Sequence, residues 1–165
     1  MASYRYAFNH VGISVTDLEK AIEFYREVFG LKLVMGPVEI KNDDTVIGQL
    51  CNDIFGSRMR RFRIAHMTTV DGVGIELFEF EEPPAERREN NFEYWKTGIF
   101  HIAFTTSNME ESIRKIEEHG GVVRSRVWEA FPGRHLVYCE DPFGNIFELY
   151  DCTYSEMYVN REEYR

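Results

Sequence analysis

Two histidines and two glutamates, His10, Glu76, His101 and Glu148, hold matching places in a 165-residue chain that repeats itself. Two imidazoles and two carboxylates are a borderline-to-hard donor set. They suit one divalent ion, such as Zn, Ni, Co, Mn or Fe, with coordination positions left open for water or substrate. Their separations of 66, 25 and 47 residues carry no short-range metal motif. Repeat symmetry is what makes them a set.

The repeat is read directly. His10-Val-Gly-Ile-Ser-Val-Thr-Asp-Leu-Glu-Lys-Ala-Ile-Glu aligns without a gap on His101-Ile-Ala-Phe-Thr-Thr-Ser-Asn-Met-Glu-Glu-Ser-Ile-Arg at an offset of 91. Asp17 falls on Asn108, Ile22 on Ile113 and Gly30 on Gly121. Each copy is an alternating strand, then an Asp or Asn helix cap, then a helix closed by glycine. In the first helix Leu18, Ala21, Ile22, Tyr25, Val28 and Phe29 form an apolar stripe at spacings of three and four, and Met109, Ile113 and Ile116 do so in the second. The copies also end alike, Gly74-Ile-Glu-Leu-Phe78 resembling Ile146-Phe-Glu-Leu-Tyr150 at an offset of 72. The first copy therefore carries about nineteen extra residues in its middle. Each copy reads β-α-β-β-β, opening on a His-bearing strand and closing on a Glu-bearing one.

Further strands are expected at Lys32 to Val38, Thr45 to Leu50 and Arg61 to Thr69 in the first copy, and at Val122 to Trp128 and His135 to Glu140 in the second. Turns fall at Asn42-Asp43-Asp44, Asp71-Gly72, Pro132-Gly133 and 141–145. The chain divides into a first module over 1–80, a linker over 81–97, a second module over 98–152 and a polar, aromatic tail over 153–165, read as a short helix or an arm.

Strand alternation puts His10 with Phe8, Gly12 and Ser14, opposite the apolar Val11, Ile13 and Val15 that face the helix. His101 goes with Ala103 and Thr105. Glu76 points away from Ile75 and Leu77, and Glu148 away from Phe147 and Leu149. All four ionisable residues thus lie on the sheet face that does not meet the helices, where small neighbours leave room for a cavity.

Composition limits the alternatives. Nineteen Lys and Arg against 28 Asp and Glu give a net charge of −9, which repels a nucleic-acid backbone. No apolar run approaches the roughly 18 residues of a membrane span. The start shows no secretory signal, and three cysteines without CxxC spacing suit a reducing cytoplasm.

The chain resembles the vicinal oxygen chelate superfamily, which includes glyoxalase I, methylmalonyl-CoA epimerase, extradiol dioxygenases, and fosfomycin and bleomycin resistance proteins. The resemblance rests on Asn9-His10-Val-Gly-Ile-Ser-Val with Asp17-Leu18, Phe24-Tyr25 through Phe29-Gly30-Leu31, Gly98-Ile-Phe-His101-Ile-Ala-Phe, and Glu140-Asp-Pro-Phe-Gly-Asn-Ile-Phe-Glu148-Leu. It covers nearly all of residues 7 to 152. It implies an α+β fold of two tandem βαβββ modules forming a cupped mixed sheet around a divalent metal, with His10, Glu76, His101 and Glu148 as ligands and a homodimer as the common assembly. Glutamate at position 76 resembles glyoxalase I and its isomerase and lyase relatives.

The resemblance implies a metal-dependent lyase or isomerase acting on a small substrate with adjacent oxygens through an enediolate or oxyanion, with Glu148 shuttling the proton. One alternative is an Fe(II) dioxygenase using His10, His101 and Glu148. Another is a non-catalytic drug-sequestering protein. Arg58, Arg60, Arg61 and Arg63 are candidates for a substrate clamp or for a solvated surface, the latter preferred. His66 and His135 are candidate neighbours of the cavity, and His119 a helix-end residue. Phe78, Phe80 and Tyr150 either line the pocket or belong to the core, and Cys139 is read as structural. The aromatic segment Phe92-Glu-Tyr-Trp95 is expected to close over the cavity or to make a dimer contact.

Overall fold

A computed structural model describes residues 6–159, which form two compact units divided between Arg87 and Arg88. In the first, β1 (His10–Ser14), α1 (Leu18–Phe29), β2 (Lys32–Lys41), α2 (Val46–Phe55), β3 (Arg61–Thr68) and β4 (Gly74–Glu82) follow in order. In the second come β5 (Ile102–Thr105), α3 (Met109–Glu118), β6 (Val122–Val123), β7 (Trp128–Phe131), β8 (Arg134–Glu140), β9 (Ile146–Tyr150) and α4 (Tyr154–Tyr158).

Each unit builds one mixed sheet. The first has strand order β1-β4-β3-β2; in the second β5-β9-β8 is flanked by β6 and β7, both paired to β8. Opening and closing strands pair in parallel, β1 with β4 and β5 with β9, and the other pairs are antiparallel. Segments β6 and β7 together fill the place that β2 holds in the first unit. Both units are therefore βαβββ folds, as the repeat requires.

The helices start where their caps dictate. Asp17 accepts a hydrogen bond from the Lys20 amide at 2.9 Å, and Asn108 one from the Glu111 amide at 3.1 Å. Gly30 ends α1 in the left-handed conformation, φ 67°. In the second unit His119 is the C-cap and Gly120, not the aligned Gly121, takes the positive φ. Gly121 serves close packing instead, since a Cβ there would lie 2.7 Å from the Glu140 carbonyl oxygen.

The apolar stripe of α1 buries Leu18, Ala21, Ile22, Tyr25 and Val28 together with Ile13, Val15, Ala65, Met67, Ile75 and Leu77 from the strands. In the second unit Ile116, Val137, Phe147 and Leu149 are the fully buried counterparts. Burying side chains of this size contributes roughly 1.5–3 kcal/mol each.

Two expectations fail. Thr45 to Leu50 is not a strand. Val46–Phe55 is a helix, capped by the Thr45 hydroxyl accepting from the Gly48 amide at 3.0 Å. β-Branched Thr45, Val46 and Ile47 favour extended backbone locally, but the cap and the i, i+4 recurrence of apolar residues through Phe55 prevail. Val122 to Trp128 is not one strand either. Pairing with β8 lapses between Val123 and Trp128, where the Arg124 amide donates to the Tyr138 carbonyl and the Tyr138 amide to the Ser125 hydroxyl.

Both additional helices lie on the sheet faces away from α1 and α3. Phe55 of α2 sits edge-on to Phe62, Phe78 and Phe80, in a cluster with Cys51, Met59, Ile64 and Ile40. Met157 of α4 is fully buried among Tyr150, Cys152, Phe131 and Leu136. The repeat makes Phe78 and Tyr150 equivalent, and the register pairs them alike, with Ile64 and Leu136. An insertion within one copy and an extension after the other thus cover equivalent ends of their own sheets. No described helix is long and apolar enough to cross a membrane.

Candidate active site

Parallel pairing places the donors. In the first unit Gly12 lies opposite Glu76, so His10 stands two residues before the glutamate's partner. In the second, Ala103 lies opposite Glu148 and His101 again stands two residues before it. The same register gives the same contact. His10 Nε2 is 3.4 Å from Glu76 Oε2, and His101 Nε2 is 3.3 Å from Glu148 Oε2. The small Gly12 matters on this face, because the Phe78 ring passes 3.2 Å from where a Cβ would stand.

Each glutamate has a third neighbour across the antiparallel strand. His66 is opposite Glu76, with Nδ1 3.4 Å from Oε1, and Tyr138 is opposite Glu148. His66 therefore lies on this face. His135 does not: its Nδ1 is 2.7 Å from Asp151 Oδ2, and it alternates away from Leu136 and Tyr138.

The surroundings of the two pairs differ. His10 is half exposed, and its Nδ1 is 2.7 Å from Asn9 Oδ1. A proton on Nδ1, donated to Asn9, leaves Nε2 as the lone-pair atom facing Glu76. The His101 ring is instead held edge-on by Phe100 and Tyr138, with centroids 5.3 and 5.2 Å away, and its Nδ1 is buried without a hydrogen-bond partner. Phe92 packs edge-on against Phe100, and Tyr94 meets both Phe100 and Trp95, so the aromatic segment backs the His101 side of the unit.

The Glu76 side chain is 25% exposed and that of Glu148 only 4%. Burial pushes the Glu148 carboxyl above its ordinary value, while hydrogen bonds from Tyr150 and Tyr138 and the nearby His101 pull the other way. Tyr138 is pushed up to about 12 by burial and by the Glu148 charge. Tyr150 is raised too, by burial first and then by its contacts with Tyr158 and Glu148.

Other candidates fall outside. Arg63 bridges Glu19 and Glu79, and Arg61 pairs with Glu39, Glu81 and Glu82, so both serve structural ion pairs. Arg58 and Arg60 are exposed. Phe78 and Phe80 belong to the cluster under α2. Cys139 is fully buried, its thiol pushed up to about 12 by burial, which suits a structural residue. Tyr138, Tyr158 and Asn9 were not assigned roles from sequence. Only the alternation of β8 pointed to Tyr138.

These residues fit a divalent ion. Two donors each about 2.1 Å from one cation lie roughly 3.0–3.4 Å apart, the separation found in each pair. Among the described residues no group of three or more His, Cys, Asp or Glu side chains gathers as a metal site. Each His–Glu pair lies within one unit.

Residues 7–149 match the glyoxalase/bleomycin resistance protein/dioxygenase superfamily. The chain belongs to that superfamily. A lactoylglutathione lyase of Schizosaccharomyces pombe is 28% identical over 97% of the chain, but the chain spans only 52% of that enzyme's length. A 2-epi-5-epi-valiolone epimerase of an Actinomyces species is 25% identical, the match covering 96% of this chain and 86% of the epimerase. Among solved structures, a glyoxalase family protein of Bacillus cereus superposes with a TM-score of 0.75 at 25% identity, over 91% of this chain and 97% of that one. Members of the superfamily are commonly lyases, isomerases or epimerases and typically use a divalent metal.

Proposed function

We propose that the protein is a metal-dependent lyase or isomerase of the glyoxalase I type, acting on a small substrate with adjacent oxygens. The observation that carries this reading is the identical register of two His–Glu pairs on equivalent strand pairs. His10, Glu76, His101 and Glu148 would together hold one ion, two donors from each unit, within one chain or across a homodimer. A divalent ion bound there supplies Lewis-acid stabilisation of negative charge developing on the substrate oxygens.

The chain's residues divide the remaining work. Glu148 is the acid–base group: its carboxylate takes the proton from the carbon beside the substrate oxygens and returns it to the neighbouring carbon. Glu76, more solvated and without hydroxyl partners from β8-like tyrosines, is a holding ligand. Asn9 fixes the His10 tautomer, and Phe100 with Tyr138 fixes the plane of His101. The names of the lyase and epimerase relatives support proton transfer at carbon as the chemistry.

The test has two arms. Purified protein stripped of metal is titrated with Ni, Zn, Mn, Co and Fe(II), and each loaded form is assayed with the hemithioacetal of a 2-oxoaldehyde and glutathione. One ion per four-donor set and thioester formation are expected. Failure to bind any of these ions would refute the reading. Ion binding with turnover only under oxygen and ferrous iron would replace it with a dioxygenase.

A further inference from the structure

Helix α4 lies outside the repeat, yet it reaches the buried glutamate. Tyr150 shares a face of β9 with Glu148, whose charge it feels, and its hydroxyl stands 3.1 Å from the Tyr158 hydroxyl of α4. Tyr158 is itself fixed. Its ring lies 4.8 Å from Tyr154 and edge-on to Phe131, and Met157 beside it is fully buried. A capping box, Thr153 with Glu156, sets where the helix begins. Tyr138 lies directly across β8 from Glu148 and feels the same charge, and its ring packs perpendicular to that of His101.

The described residues of the first unit have none of this. Phe78 stands where Tyr150 does and His66 where Tyr138 does, so no tyrosine hydroxyl from these two places reaches Glu76. A phenylalanine at either tyrosine position would fill the same volume. The hydroxyls therefore need a reason other than packing, and the carboxylate is the group whose charge they both feel.

We propose that Tyr138, Tyr150 and Tyr158 are positioning residues: two hydroxyls clamp the Glu148 carboxylate from either side, and α4 anchors the clamp through Tyr158. This rests on the reading of Glu148 as a ligand and acid–base group. Clamping fixes which oxygen faces His101 Nε2 and which is left to act on substrate. It also makes a helix beyond the duplicated fold a working part of one half of the site.

The experiment separates the clamp from the metal reading. On metal-free protein, thermal unfolding of Y150F, E148Q and the double variant forms a thermodynamic cycle, repeated with Y138F. The clamp requires non-additive shifts, the tyrosine substitution lowering Tm less once Glu148 is replaced. Additive shifts in both cycles would overturn it, whatever the metal does. Mn(II) affinity by electron paramagnetic resonance and the visible spectrum of the Co(II) form are then compared across variants. Loss of a hydroxyl that positions a ligand weakens binding by roughly 10–100-fold, expected for Y150F and Y138F with an altered Co(II) spectrum, and a smaller loss is expected for Y158F. Y154F, which removes a hydroxyl on the same helix, should bind as wild type. Unchanged affinity and spectrum in all three clamp variants would overturn the proposal. Non-additive cycles in a protein that binds no ion would instead refute the metal reading and leave the clamp standing.

Discussion

The two units share a strand order and a donor register, and they differ in everything that surrounds the donors. Around Glu76 the face is open, with two imidazoles near the carboxylate and Phe78 two residues on along the same face of the strand. Around Glu148 it is closed by tyrosines and a helix, and the carboxyl is buried. Duplication preserved the backbone geometry that sets the distance between donors. Divergence acted on the side chains that set solvent access and proton affinity. On the proposed reading, this divergence turns two equivalent carboxylates into one suited to holding an ion and one suited to chemistry.

Four measurements would break or sharpen this contrast. The largest effect is expected from the glutamates themselves. E148Q should lower kcat by about 10³-fold, within the usual range for a general base, while keeping most of the metal. E76Q should instead weaken metal binding more than it lowers turnover of the fully loaded form. Equal behaviour of the two variants would erase the division of labour.

Next come the covering helices. Phe62 under α2 and Met157 of α4 are almost fully buried, so alanine at either should destabilise by about 3 kcal/mol in chemical denaturation. F62A should leave the Glu148 side of the site intact, whereas M157A should also reduce activity because it loosens the helix that carries Tyr158. A smaller effect, about 10-fold in metal affinity, is expected for N9A, which frees the His10 ring. Among the described residues no equivalent polar partner holds His101, so F100A should act through ring disorder and metal exchange rate rather than through tautomer.

The smallest effect is in metal-free stability against pH. Burial raises the folded-state pKa of Glu148, so the folded protein binds a proton there more readily than the unfolded chain. Its ionisation therefore penalises folding once pH rises above the unfolded carboxylate value, and the penalty is complete above the folded one. E148Q removes that penalty. Its Tm should exceed wild type by a few degrees at neutral pH, and the gap should close as pH falls below the unfolded value of roughly 4.3. A pH-independent gap would assign the difference to packing.

Much of this was legible before any coordinates. His10, Glu76, His101 and Glu148 were placed on one face of their strands by alternation alone, since period two is a strict property of extended backbone. The caps Asp17 and Asn108 marked both helix starts for equally local reasons. The register was not readable, because it depends on which residues pair across 66 positions of chain, and nothing local states that. Helix α2 reads as a strand from sequence because the β-branched Thr45, Val46 and Ile47 favour extended backbone, and Thr45 acts as a cap only in context. Tyr138 and Tyr158 went unassigned because their significance is the company they keep across strands and in a tail outside the repeat.

In each unit the strand that opens the module pairs with the one that closes it, so the His–Glu contact joins the two extremes of a stretch of chain about sixty residues long in the first unit. A ribosome must have released the last strand before any such contact exists, and topologies dominated by distant pairings are slow to form. The donor pair is thus a signature of completed folding. A partly synthesised or partly unfolded unit offers isolated imidazoles, and the paired arrangement exists only on finished protein.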